Sequence, residues 1–174
     1  MDQVSSPLSR NIELKARCPD LAAAKASLAP LSVHDVGIQQ QIDTYFASNH
    51  GRLKLREIVG VRAELIWYQR IDEPRSRQSD YHVVPVPDPQ KLKTALTAAL
   101  GVRREVRKRR HVLLWHNVRI HLDEVEGLGT FVEFEAVISA KDNEATGHAR
   151  LAELCRLMAI STADHLAVSY IDME

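Results

Sequence analysis

Charged and apolar side chains alternate at period two in six separate stretches of this chain, and that repetition limits its architecture more than any other feature. In Asn11-Ile12-Glu13-Leu14-Lys15-Ala16-Arg17 one face carries Asn11, Glu13, Lys15 and Arg17, and the other carries Ile12, Leu14 and Ala16. This is the pattern of a strand with two unlike faces. One such strand alone reads as half-buried with an ordinary solvated side. Recurrence changes the reading. Arg52, Lys54 and Arg56 are spaced by Leu53 and Leu55; Glu64, Tyr68 and Arg70 share a parity; Lys108 and Arg110 follow Val106. Arg119, His121 and Asp123 alternate with Ile120 and Leu122, and Glu133 and Glu135 flank Phe134. Strand after strand with one charged face points to a shared charged interior.

The rest of the chain supplies connections that suit such a sheet. Residues 1–9 are polar and read as a disordered leader before a strand over 10–17. Pro19 and Asp20 open a helix carrying Leu21, Ala24, Lys25 and Leu28, which Pro30 stops. An extended segment over 33–47 turns at Asn49-His50-Gly51 into the Arg52 strand, and Gly60 links that strand to another over 63–71. Residues 72–80 read as a polar loop and 81–86 as a short strand whose Pro85 and Pro87 mark an edge or an end. A helix over 89–100 ends at Gly101. Strands over 102–114, 118–125 and 131–139 form a meander, a long amphipathic helix spans 142–158, and the tail over 163–170 packs back onto the body. The inventory is α+β, about eight mainly antiparallel strands with flanking helices in a single domain.

Charge sorting bears on function. The chain is neutral, with 23 basic and 23 acidic side chains, so nothing global attracts nucleic acid or an acidic membrane. The alternating positions are not neutral. Lys15, Arg17, Arg52, Lys54, Arg56, Arg70, Lys108, Arg110 and Arg119 outnumber Glu13, Glu64, Asp123, Glu133 and Glu135 by nine to five. Like charges packed together need water or a counterion, so an interior with this lining is wet and binds a polyanion. Its grouped carboxylates suit a hard divalent ion such as Mg²⁺ or Mn²⁺, which bridges readily to phosphates. Cations for phosphate and carboxylates for a metal are the means of phosphoryl transfer. The two cysteines, Cys18 and Cys155, have no metal or redox spacing, and no apolar run approaches the roughly 20 residues of a membrane span, so a cytoplasmic protein is expected.

The Asn11-Ile12-Glu13-Leu14-Lys15 strand resembles the Glu-x-Glu-x-Lys signature of the CYTH superfamily, the triphosphate tunnel metalloenzymes. Further matches follow in family order: residues 41–46, 52–57, 106–110, 121–125, 127–131 and 133–135, with Tyr170 and Asp172 similar to the family's C-terminal ending. The likeness runs from about residue 10 to 172 and is closest in style to the class IV adenylyl cyclase branch. It implies an eight-stranded antiparallel tunnel that binds a triphosphate: ATP in cyclases, tripolyphosphate or thiamine triphosphate in triphosphatases. It implies Mg²⁺ or Mn²⁺ held by Glu13, Glu133 and Glu135, with Asp123 as a further ligand or an orienting group. Lys15, Lys54, Arg56, Arg70, Lys108, Arg110 and Arg119 would grip the triphosphate, and Glu13, Lys15 and Asp123 would carry catalysis. Arg52, at a strand start, is a weaker member of the set. A homodimer stays open.

One residue departs from the family pattern. Asn11 stands where the signature's first glutamate is expected, and an amide oxygen brings no negative charge to a cation, so metal affinity should fall. Three readings follow from the sequence: a cyclase making cyclic AMP and pyrophosphate, a triphosphatase, and a nucleotide- or polyphosphate-binding module that has lost turnover. His121 reads as a hydrogen-bond donor facing the lumen, Trp67 and Trp115 as packing under helices, and Arg103, Arg104, Arg107 and Arg109 as solvated.

Overall fold

Each alternating stretch is a strand in the computed structural model, which describes residues 8–173; most of the expected leader lies outside the described residues. The strands are β1 (Ser9–Arg17), β2 (His34–Phe46), β3 (Arg52–Ile58), β4 (Arg62–Arg70), β5 (Arg77–Pro85), β6 (Val102–Trp115), β7 (Val118–Val125) and β8 (Gly129–Val137). The helices are α1 (Leu21–Ala26), α2 (Pro89–Leu100) and α3 (Glu144–Leu157). All eight strands close into one barrel in the order β1-β5-β4-β3-β2-β6-β7-β8, with β8 returning to β1, and every pairing is antiparallel. Closure leaves no sheet edge. Pro85 is therefore a strand end, the last residue of β5 and opposite Glu64. β5 also begins earlier than its proline and serine content suggests, so Arg77 is a strand residue.

Parity divides the wall into a dry outside and a wet inside. On the outer face of β1, β7 and β8, the side chains of Ile12, Leu14, Val118, Ile120, Phe134 and Ala136 are buried against Leu151 and Leu154 of α3 and Ala24 of α1. Fully burying one such side chain contributes roughly 1.5–3 kcal/mol. α3 comes so close that a Cβ at Gly147 would lie 3.2 Å from Ile12 and 3.3 Å from Ala136. α2 covers a second outer patch, where Leu92 and Leu96 meet Phe46, Leu55 and Ala63. Trp115 lies in the first core, whereas Trp67 packs beside the β2–β3 turn and donates its indole N–H to the His50 carbonyl at 2.9 Å.

The helix ends follow local rules. Asp20, Asp88 and Asn143 cap α1, α2 and α3 by accepting from Ala23, Lys91 and Thr146, and Gly101 ends α2 with φ of 75°. After α3 the chain crosses one end of the barrel. His165 bridges Ala16, the Leu166 amide donates to the Lys15 carbonyl at 2.9 Å, and Tyr170, Ile171 and Met173 are buried among Tyr45, Val106, Val125 and Phe131. The tail thus stoppers that end. Among the described residues no helix is long and apolar enough to cross a membrane.

Candidate active site in the barrel lumen

Two groups of charges occupy the lumen. The first is built on β2, β3 and β6. Asp43, fully buried, accepts from Arg56 Nε and Nη2 at 2.8 Å each, from Lys54 Nζ at 3.0 Å and from Lys108 Nζ at 2.6 Å. Cross-strand register produces this cluster, with Asp43 directly opposite Arg56, and Gln41, two residues along the same face of β2, opposite Lys108. Burial alone would raise the Asp43 carboxyl, but Arg56, Lys108 and Lys54 hold it well below the usual carboxylate range. Three cations then share one anion. Burial and the neighbouring Arg56 pull Lys54 down to about 8, and burial, with Arg56 and Arg110 nearby, pulls Lys108 well below an ordinary lysine.

The second group is built on β1, β7 and β8, where Glu13 faces Glu135 and Lys15 faces Glu133 across one ladder. His121 faces Glu133 and Arg119 faces Glu135 across the next. Lys15 Nζ lies 2.9 Å from Glu133 and 3.4 Å above the Tyr170 ring, and Arg119 Nε lies 2.9 Å from Glu135. Glu13 takes Arg70 at 3.0 Å and Arg77 at 3.4 Å. Burial nonetheless raises the Glu13 carboxyl, and Glu133 and Glu135 add to that rise against the pull of Arg70. Burial and Arg110 lower His121 and favour its neutral form.

The sequence-named residues fall into three settings. Glu13, Lys15, Lys54, Arg56, Arg70, Lys108, Arg110, Arg119, Glu133 and Glu135 all line one cavity, together with Asn11 and Glu64. Asp123 lies behind that lining, fully buried, with both oxygens engaged: Arg110 donates at 2.7 and 2.6 Å and the Tyr170 hydroxyl at 2.7 Å. Arg110 also reaches Glu133 at 2.7 Å, so Asp123 bears on the cavity through Arg110. Arg17 and Arg52 sit outside the cavity lining: Arg17 is exposed over the Phe131 ring, and Arg52 is held by Asp72 and Asp172 beside the tail. Arg104 is half-buried and donates to the Met173 carbonyl, while Arg103, Arg107 and Arg109 are exposed as expected.

Asp43, Arg77, Tyr45 and Tyr81 are the residues of this candidate site that sequence reasoning did not single out, whereas Tyr68 and Tyr170 stood in its parity set and its family match. Along β2, Gln39, Gln41 and Asp43 alternate with Gln40, Ile42 and Thr44, so both faces read as mixed. Asp43 does sit inside a stretch matched to the family, and that was its only signal. Arg77 was hidden in an apparent loop. Tyr45, Tyr68, Tyr81 and Tyr170 line the cavity beside the cations.

The cavity has a volume of about 140 Å³. Ser169 and Tyr170 of the tail form its floor, both buried. Val83, 44% exposed, and Arg119, with its side chain 36% exposed, stand at its mouth. The lining fits a divalent cation on two counts. His121, Glu133 and Glu135 offer ligand atoms within 4.8 Å of one another, with Glu13 opposite Glu135. Asn11, on the lumen face two residues from Glu13, has a buried Oδ1 that no protein group satisfies. Crowded carboxylates and an orphaned carbonyl oxygen form a donor set for a hard ion.

The CYTH domain matches residues 9–170 of the chain. Among solved structures, the PH1012 protein of Pyrococcus horikoshii is 24% identical with a TM-score of 0.81, over 93% of this chain and 98% of that one. A conserved hypothetical protein of Pyrococcus furiosus is 20% identical with a TM-score of 0.81, over 94% and 99% of the two chains. A candidate adenylate cyclase of Vibrio parahaemolyticus is 22% identical with a TM-score of 0.74, over 92% and 94%. At these identities the likeness speaks to the fold. No curated protein sequence matches the chain. With its domain match spanning nearly the whole barrel and its charged side turned into the lumen, this chain belongs to the CYTH family, whose members typically act on triphosphate substrates with a divalent metal.

Proposed function

We propose that this protein is a divalent-metal-dependent enzyme that binds a triphosphate in the barrel lumen and directs an in-line attack at phosphorus, with conversion of ATP to cyclic AMP and pyrophosphate as its reaction. The observation that carries the reading is the pairing of two unlike clusters in one cavity: three cations on a single buried Asp43, and Glu13, Glu133 and Glu135 on the other side. Lys54, Arg56 and Lys108 carry charge beyond what Asp43 cancels, and a polyphosphate chain supplies the missing anions. Arg110, Lys15 and Arg119 line the same cavity, where they hold the developing charge in place.

Glu13, Glu133 and Glu135 would hold Mg²⁺ or Mn²⁺, which when bound supplies Lewis-acid stabilisation of phosphate oxygens. Of the residues named for catalysis, Glu13 and Lys15 act at the reacting end, and Asp123 positions Arg110 from behind. In the cyclase reaction the ribose 3′ oxygen forms a bond to the α-phosphorus as the bond to pyrophosphate breaks, and the hydroxyl proton is released to water. The motif style over most of the chain and the name of the Vibrio neighbour support this branch. The triphosphatase reading uses the same clusters, with water attacking the γ-phosphorus. A binding module without turnover is favoured only by Asn11, which withholds one charge from the metal cluster. Product analysis decides among the three: purified protein is incubated with ATP, with tripolyphosphate and with thiamine triphosphate, each with Mg²⁺ and with Mn²⁺. Cyclic AMP and pyrophosphate from ATP is the expected result. Orthophosphate release would make the protein a triphosphatase, and binding without product would make it a sensor.

A further inference from the structure

The carboxylate end of the lumen contains a donor of a different kind from its glutamates. Ile120 and Leu122 of β7 pack in the outer core, so His121 between them turns inward, where it is 5% exposed. Glu133 is its partner across the β7–β8 ladder, and Glu135 follows on the same face of β8. Ligand atoms of all three lie within 4.8 Å of one another. The imidazole Nδ1 is buried with no hydrogen-bond partner, and Glu133 Oε2 is 3.6 Å from it, too far for a hydrogen bond. Leaving a buried polar atom unpaired is costly, and a bound ion removes that cost.

The carboxylates are less free than this nitrogen. Glu133 meets Lys15 and Arg110, and Glu135 meets Arg119, so part of the charge they offer a metal is already cancelled. The Nδ1 lone pair, with the ring proton on Nε2, competes with no such partner. Asn11 acts in the same direction, because an amide beside Glu13 offers oxygen without charge. Mg²⁺ is held by charge and hard oxygen, and it gains little from a nitrogen. First-row transition ions accept imidazole readily. We infer that His121 is a nitrogen ligand to the metal, and that it makes the site select a first-row transition ion such as Mn²⁺ over Mg²⁺. The inference rests on the reading of the carboxylate wall as a metal site and adds the ligand that chooses the ion.

The test is electron spin-echo spectroscopy of one equivalent of Mn²⁺ on the protein, together with calorimetric titration of Mn²⁺ and of Mg²⁺, for wild type, His121→Phe and His121→Asn without nucleotide. A directly bound imidazole imprints nitrogen modulation on the Mn²⁺ echo, and a histidine that only packs or hydrogen-bonds does not. Wild type should show this modulation and both variants should lack it. The ratio of Mn²⁺ to Mg²⁺ affinity should fall by about tenfold in His121→Phe, while His121→Asn, which puts an amide oxygen near the place of Nδ1, should keep Mg²⁺ affinity within about twofold of wild type. Circular dichroism checks that the variants fold, and the wild-type echo needs no variant. Bound Mn²⁺ without nitrogen modulation, or modulation that persists in both variants, overturns His121 as a ligand and leaves the carboxylate site standing. If wild type binds neither ion, the metal reading itself falls and the nitrogen ligand with it.

Discussion

The two charged walls of the lumen come from the same alternating sequence pattern and yet have opposite character. On β2, β3 and β6 one carboxylate, Asp43, is surrounded by Lys54, Arg56 and Lys108, and the cluster keeps an excess of positive charge. On β1, β7 and β8 carboxylates meet cations in cross-strand pairs, Glu133 with Lys15 and Glu135 with Arg119, while Glu13 and Glu135 face each other as like charges. The first wall is short of anions, whereas the second groups three carboxylates and takes part of its countercharge from Arg70, Arg77 and Arg110 on other strands. Alternation decides which face of the sheet a side chain takes, and position along the strand decides whether it reaches the lumen, which Arg17 and Arg52 do not. Which charge stands across the ladder decides whether the place carries excess positive charge or grouped carboxylates.

The harshest way to break this contrast is to remove the one anion of the cationic wall. Asp43→Asn would leave three buried cations without a counterion, and losing one partner of a buried ionic group typically costs about 3–5 kcal/mol. Urea unfolding should show a loss of that size, partly restored by added tripolyphosphate; an unchanged midpoint would mean that water already screens the cluster. Next in size is the wall proposed to hold the metal. Glu135→Gln keeps the shape but removes charge from the ion site, so turnover should nearly vanish while tripolyphosphate binding in EDTA survives. Metal-independent turnover would contradict the assignment of the two walls.

Lys108→Ala and Arg56→Ala take one cation from a cluster with cations in excess. Triphosphate affinity should fall by about tenfold or more in each, with thermal stability unchanged or slightly raised, because mutual repulsion is relieved. Equal affinity in both variants would place triphosphate binding elsewhere. Proton linkage offers a milder probe of the same wall. Lys54 is pulled down to about 8 in the fold, so between about pH 8 and the ordinary lysine range the unfolded chain binds more protons and the apo fold gains stability as pH rises. Anion binding runs the other way, since it needs the protonated amine: metal-free tripolyphosphate affinity should decline as pH passes through about 8. Lys54→Arg should flatten that decline, and an identical profile in both proteins would remove Lys54 from it.

The smallest expected effect is at Asn11. Asn11→Glu adds one negative charge beside Glu13, and a hard cation responds to ligand charge, so the midpoint of a Mg²⁺ or Mn²⁺ titration should fall by a few fold. Weaker metal binding in the variant would show that Asn11 serves as a hydrogen-bonding group the site needs.

Much of this was legible in the chain itself. The α2 boundaries follow from Pro89 and Gly101, which set a first turn and a stop by local geometry. Ten of the residues singled out by parity and family likeness share one cavity, because a strand's two faces are fixed by period two regardless of what it packs against. Asp43 was not legible, since polar residues occupy both faces of β2, and Arg77 was not, since its strand begins among serine and glutamine.

By itself, then, the sequence determined most of the element types, the face taken by the charged side chains of the six alternating stretches, and the excess of cations at those positions. These are local quantities, set by backbone period and caps. Only the tertiary structure decided that β1 pairs with β5 and β8, that β2 pairs with β6, that Asp43 gathers three cations, and that Asp123 sits behind Arg110 under Tyr170. Those outcomes depend on which strands meet across long stretches of chain and in what register, and pairing energies are shared among all eight strands at once, so no local pattern carries them.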